Sequence, residues 1–106
     1  MSVQFIWPYT NTVVELYKAE YNEPNNIALI ACTNDDEGLK EEFGIVSVNS
    51  TTKLEEGYVA IKNWSENEGI LNVLIREGVV STQSHFIKSG FVDITVCKLL
   101  VELPTL

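Results

Sequence analysis

Hydrophobic and polar positions alternate along much of this chain, the pattern of strands with one buried face. Val3 to Tyr9 is apolar and aromatic. Pro8 cannot donate to a sheet ladder, so this segment predicts a short edge strand. Thr12 to Tyr21 interleaves Val, Leu and Tyr with charges and predicts a second strand, closed by the turn residues Asn22-Glu23-Pro24-Asn25. Ile27-Ala28-Leu29-Ile30-Ala31-Cys32 is apolar on both alternating faces, as a central strand covered on both sides requires. Asn34-Asp35-Asp36-Glu37-Gly38 reads as a turn. Phe43 to Val48 resumes the strand pattern, with Phe43 and Ile45 alternating against Gly44 and Val46. Residues 49–57 form a polar loop, and Tyr58 to Ile61 a short strand with Val59 and Ile61 on one face.

The period then changes. Ser65 and Glu68 have the spacing of a capping box, and Trp64, just before it, is placed to staple onto Gly69 and Ile70. Ile70, Leu71, Val73, Leu74 and Ile75 mark an apolar helical face. Glu66 and Glu68 suit the positive end of that helix and Arg76 the negative end. Gly78 stands where a left-handed C-cap residue belongs, and Gly69 weakens the interior by roughly 1 kcal/mol relative to Ala. A hairpin follows: Val79 to Ile87, the turn Lys88-Ser89-Gly90, then Phe91 to Leu100. Val92, Ile94 and Val96 share a face, Asp93 and Thr95 take the other, and Phe91 is expected to enter the core. The tail from Val101 to Leu106 either packs down or frays. The expected fold is a single α+β domain spanning 1–106. It has a mainly antiparallel sheet of about five to six strands, with one short helix packed on one face, in the order β-β-β-β-β-α-β-β.

Composition narrows the function classes. A chain of 106 residues with 45% apolar and 21% charged residues is ordinary globular material. Such a chain buries roughly two-thirds of the surface its unfolded form exposes. There are 15 Asp+Glu against 7 Lys+Arg, a net charge of −8, and the basic residues are scattered singly. Binding to nucleic-acid phosphates needs clustered Lys or Arg, so direct nucleic-acid binding is not expected. The sign of the field favours a basic protein partner, such as a nucleic-acid-handling protein. The same charge also serves plain solubility.

Cys32 and Cys97 lie outside any Cys-X-X-Cys pair, so zinc-type spacing is absent. The start, Met-Ser-Val-Gln-Phe-Ile-Trp-Pro, lacks the basic n-region and long apolar run of a signal peptide. No stretch approaches the roughly 20 apolar residues of a membrane helix. A cytoplasmic protein with reduced thiols and no membrane contact is the expectation.

The candidate binding residues are mostly carboxylates. Asp35, Asp36 and Glu37 lack the spacing of a calcium loop, so a turn with solvated charges is expected and no metal ligand is assigned. Glu41-Glu42 and Glu55-Glu56 extend the acidic series. If these clusters converge, they form a single-sign patch that suits a basic groove. Trp64 is the remaining candidate, either as a helix staple or as the centre of a binding surface.

His85 is the sole histidine, with Ser84, Asp93 and Cys97 nearby in the expected hairpin. Nucleophilic catalysis needs the base within hydrogen-bond reach, and strand alternation turns Ser84 away from His85. No catalytic residue is assigned. No phosphate loop, nucleophile elbow or metalloprotease motif occurs, and no cofactor is expected. Ser81-Thr82-Gln83-Ser84 is uncharged and polar. At a sheet edge it would permit strand addition or a homodimer; the alternative is an interior strand with one wet face.

Asn63-Trp64-Ser65-Glu66-Asn67-Glu68-Gly69, then Gly78, Ser89-Gly90-Phe91-Val92 and Val96-Cys97-Lys98-Leu99, carry a resemblance. In these motifs and their order the chain resembles a family of small acidic proteins carried by phages and conjugative elements of anaerobic bacteria. The resemblance covers roughly residues 13–100, and the first half departs from the family pattern. That family has no settled activity, so the resemblance implies a setting, an accessory role on a mobile element, and no catalytic residue.

The first expectation for function is therefore a non-enzymatic interaction protein that modulates a host or element protein through an acidic or edge-strand surface. A sharper form is a defence-system inhibitor whose carboxylates stand in for phosphates. The alternatives are a small metal-dependent enzyme using the Asp/Glu clusters with His85, and a structural dimer joined around Trp7.

Overall fold

Val13–Glu20 (β2) and Ile27–Asn34 (β3) are the longest strands, and they organise the first half of the chain. In the computed structural model, which describes residues 2–106, they pair antiparallel from Glu15↔Cys32 to Glu20↔Ile27. Gln4–Ile6 (β1) adds to β2, and Lys40–Ile45 (β4) adds to β3, giving a four-stranded sheet ordered β1-β2-β3-β4. Tyr58–Ile61 (β5), His85–Ser89 (β6) and Val92–Lys98 (β7) form a three-stranded sheet ordered β5-β7-β6. The helix, Ile70–Arg76 (α1), falls between β5 and β6. The fold is thus α+β with the expected element order, and its antiparallel strands divide between two sheets. The Cα radius of gyration of 13.3 Å matches the roughly 13 Å of a compact chain of this length.

The two sheets are joined by the chain itself. Val46 still donates to the Leu29 carbonyl of β3 at 2.9 Å, while its own carbonyl accepts from Lys62 at 2.9 Å. Ser47 bridges Ile61, and Val48 donates to Ala60 at 3.0 Å. Val46 to Val48 therefore leaves the first sheet and runs along the edge of β5. Ser47 fixes this crossing, because its Oγ accepts from the Leu29 amide at 2.9 Å and lies 3.0 Å from the Tyr21 hydroxyl.

One core is shared by both sheets. Phe5, Trp7, Val14, Leu16, Leu29 and Ala31 from the first sheet meet Val59, Ile61 and Cys97 from the second, with Ile70, Val73 and Leu74 of α1 between them. A smaller cluster of Leu54, Ala60, Ile94 and Val96 fills the opposite face of the second sheet. The alternation of β5 explains the division: Val59 and Ile61 enter the large core and Ala60 the small one.

Several local expectations change. Ser65 and Glu68 do not cap α1. Ser65–Asn67 is a separate 3₁₀ turn without a side-chain cap, and Gly69, left-handed at φ 89°, starts the helix. Tertiary bonds explain the break. Trp7 Nε1 donates to the Glu66 carbonyl at 3.1 Å, and Asn67 Nδ2 donates to the Ile45 carbonyl at 2.7 Å. These pin the turn to the first sheet, and the amide of Leu71 is met by Asn63 Oδ1 at 2.9 Å instead. A Cβ on Gly69 would meet Pro8 and Tyr9, not Trp64.

The other end of α1 follows expectation. Gly78 is left-handed at φ 72°, and Gly78 and Val79 donate to Ile75 and Leu74 as a Schellman closure requires. Val79 to Ser84 is not strand: Val79 and Val80 are buried and the ladder of β6 begins at His85. Phe91 sits at the tip of the β6–β7 turn, fully exposed rather than in the core. The tail packs: Lys18 donates to the Pro104 carbonyl at 2.9 Å, and Leu106 donates to that of Lys18 at 3.0 Å.

Candidate functional site

The expected carboxylates fall into two separate groups. Asp35, Asp36 and Glu37 form the β3–β4 turn, where Asp35 Oδ1 accepts from the amides of Glu37 and Leu39 at 2.9 and 2.8 Å. Glu41 and Glu42 follow on β4, at the outer edge of the sheet, and both are exposed. Glu55 and Glu56 lie elsewhere. Leu54 donates to Asn26 Oδ1 at 2.8 Å, which ties their loop to the β2–β3 turn. That turn is at the opposite end of β3, about 23 Å away along an eight-residue strand. The seven carboxylates therefore do not make one patch. The hairpin carries Asp35, Asp36, Glu37, Glu41 and Glu42 together, and Glu55-Glu56 stands apart.

Register adds Glu15 to the hairpin group. Glu15 pairs with Cys32 and Cys32 with Glu42, so the two carboxylates flank Cys32 on the outer face of the sheet. The Tyr17 hydroxyl donates to Glu15, and this bond pushes the phenol above its ordinary value. Lys40 Nζ stands 3.7 Å from the centre of the Tyr17 ring. Among the described residues, the ion pairs are Lys62–Glu66, Arg76–Glu77 and Lys88–Asp93, so none neutralises a hairpin carboxylate.

β4 also borders a cleft of about 430 Å³, lined by Trp7, Pro8, Tyr9, Phe43, Glu66 and Glu68 among others. Trp7 forms its buried wall and meets Phe43 edge to face, with ring centroids 5.1 Å apart. Phe43 is 41% exposed and Tyr9 87% exposed. Tyr9 and Ser65, at φ 62° and 56°, are the non-glycine residues in left-handed backbone among those described, and both line this cleft. Such strain persists where surrounding structure holds it and concentrates at binding sites. Lys62 Nζ bonds Glu66 Oε1 at 2.6 Å and holds that carboxyl below its ordinary range.

The remaining candidates are dispersed. Trp64 is 38% exposed and is not among the residues lining this cleft. Trp7 is 4% exposed and packs into the core of its own chain, while its neighbours Ile6 and Tyr9 stay exposed. Contrary to strand alternation, Ser84 Oγ lies 3.1 Å from His85 Nδ1, at the start of β6 where the Ser84 amide donates to the Val96 carbonyl of β7 at 2.8 Å. Both are exposed, and the Tyr58 ring lies 6.2 Å from that of His85 between centroids. Among the described residues no three His, Cys, Asp or Glu side chains converge on a point that could hold a metal ion. Both cysteines are free and buried, and burial pushes both thiols up.

Sequence reasoning missed Tyr9, Phe43, Glu66 and Glu68 as one group, and treated Trp7 only as strand or dimer contact. The cleft brings together residues far apart in sequence, Trp7 to Tyr9 with Phe43, Glu66 and Glu68, so no local pattern marks it. No family model, curated protein or solved structure matches this chain.

Proposed function

We propose that this chain is a non-enzymatic interaction module that engages a basic surface of a partner protein through the β3–β4 hairpin. The observation that supports this reading is the grouping of Asp35, Asp36, Glu37, Glu41 and Glu42 on one exposed hairpin, with no neutralising ion pair among the described residues. Net negative charge on an exposed hairpin, five carboxylates against Lys40, raises encounter rates with the opposite sign. The same carboxylates keep the β4 edge from pairing with other strands, which leaves charge rather than backbone pairing as the mode of contact. In its narrower form the reading makes the chain an accessory protein of a mobile element, working in the cytoplasm. The resemblance at residues 63–69 and 89–92 supports the setting, and the unpaired thiols agree with the compartment. A carboxylate mimic of nucleic acid is the sharpest version, and it needs the same hairpin.

The separated acidic groups supply the test. Asp36→Lys, Glu41→Lys and Glu42→Lys together should abolish binding of a polyarginine peptide in calorimetry. Glu55→Lys with Glu56→Lys should leave most of it. Wild-type binding should weaken steeply with added salt. Equal losses from both sets, or salt-independent binding, would refute the reading.

A further inference from the structure

The cleft beside β4 combines two features that together specify a ligand. Its walls are aromatic: Trp7, Tyr9 and Phe43. Its rim is anionic: Glu66 and Glu68. Ring faces carry negative potential and attract cations. A neutral apolar ligand would strip water from the rim carboxylates without replacing it, and an anion would be repelled. Glu66 is already engaged by Lys62. Glu68 makes no ion pair among the described residues, so it is the carboxylate left for an incoming charge.

The cleft is also built in advance of any ligand. Trp7 is fixed by its bond to the Glu66 carbonyl. Gly44 leaves its backbone open to the indole, with no side chain to fill the space. Tyr9 is held left-handed with its ring against Gly69, where a Cβ would stand 3.6 Å from Tyr9 Cε2. A ligand therefore meets a Trp7 indole whose ordering has already been accomplished by folding, with the more exposed Tyr9 and Phe43 beside it.

Position then selects the partner. Phe43 follows Glu41-Glu42 directly on β4, with Glu42 turned to the outer face beside Cys32, so a basic segment engaging Glu41 has Phe43 about 7 Å further along the strand. Of the two basic side chains, arginine is the one whose flat, weakly hydrated guanidinium stacks on rings while bonding a carboxylate. We infer that the Trp7–Tyr9–Phe43 cleft seats an arginine side chain of the basic partner, with Glu68 as its counter-ion. This inference rests on the hairpin reading above, and its test separates the two.

The probe is a short alternating glycine-arginine peptide, with the glycine-citrulline peptide as its neutral counterpart, titrated into the ¹⁵N-labelled full chain. The arginine peptide should shift the Trp7 indole N–H and the amides of Tyr9 and Gly44, and the citrulline peptide should not. Tyr9→Asn removes a ring yet suits left-handed backbone; it and Glu68→Gln should each weaken binding about two- to fivefold. A dispersed Trp7 indole signal in each variant shows that the fold survives. If the peptide binds these variants as tightly as wild type while Glu41→Lys with Glu42→Lys abolishes binding, the cleft inference is overturned and the hairpin reading stands. If charge reversal on β4 changes nothing while Tyr9→Asn weakens binding, the cleft stands and the hairpin reading falls. Absence of any shift with the arginine peptide overturns both.

Discussion

The Trp7 indole occupies the space that a side chain on Gly44 would need: a Cβ there would lie 3.2 Å from Trp7 Cη2. This contact joins the end of β1 to β4 beneath the intervening strands, where Ala31 is also small. It explains a glycine in the middle of a strand, a position where glycine is otherwise unfavourable.

A size series at Gly44 reads the contact. Gly44→Ala forces a shift of a few tenths of an ångström. Gly44→Val overpacks the site and should cost about 1–3 kcal/mol. Urea unfolding followed by circular dichroism measures the cost, and the Trp7 indole resonance should move with it. A Gly44→Val variant with a wild-type midpoint would show that Trp7 does not pack there.

Gly78 tests a backbone effect free of packing. A Cβ at this position meets nothing within 4 Å, yet φ is 72°. Gly78→Ala should therefore lose about 1–2 kcal/mol from conformation alone, and Gly78→Asn less, because asparagine tolerates left-handed backbone better. Equal midpoints for glycine and alanine in thermal unfolding would contradict the Schellman closure of α1.

Asn26 is the buried polar residue that shapes the loop before β5. Its Nδ2 donates to the Thr52 carbonyl at 3.0 Å and to Asn49 Oδ1 at 3.3 Å, while Oδ1 accepts from Leu54. Asn26→Ala leaves the buried Leu54 amide without a partner and should cost about 1–3 kcal/mol. Hydrogen exchange at Leu54 should quicken ahead of exchange in β2 and β3. Unchanged protection at Leu54 would remove this role.

Stability should decline on the alkaline side. Burial raises the Cys97 thiol; burial also raises Cys32, with Lys40 opposing, and the Glu15 bond raises Tyr17. Each group holds its proton more tightly when folded. Its contribution is complete below the unfolded value, about 8.5 for a thiol and about 10 for tyrosine, and is lost as pH rises through the folded value. The melting temperature should hold from neutral pH to about 8.5 and fall above it. Cys32→Ser with Cys97→Ala should flatten the first part of that fall. A thiol reagent should label native protein slowly and unfolded protein fast; rapid labelling of both cysteines in the native state would contradict their burial.

Much of the fold is legible in the order of residues. Apolar runs on both faces at Ile27–Cys32 mark a central strand, and β3 indeed lies between β2 and β4. Pro8 marks an edge, and β1 is the edge of its sheet. Gly78 marks the end of a helix because left-handed backbone is a local property. The capping box at Ser65–Glu68 was also a local signal, and it failed because Trp7 and Asn67 reach across the chain and pin that turn elsewhere. Phe91 is apolar, and composition alone sends it inward; the turn at Gly90 holds it out.

Sequence alone determined the α+β class, the order of elements along the chain and the acidic character, because periodicity and charge are properties of the chain read one residue at a time. Only the tertiary structure decided which carboxylates stand together and which rings face one another. The length of β3 drives Glu55-Glu56 away from the hairpin, and the reach of one indole from β1 to β4 opens a cleft that no neighbouring residues could announce. Distances between residues far apart in sequence follow from pairing and crossing, and those are settled only when the whole core closes.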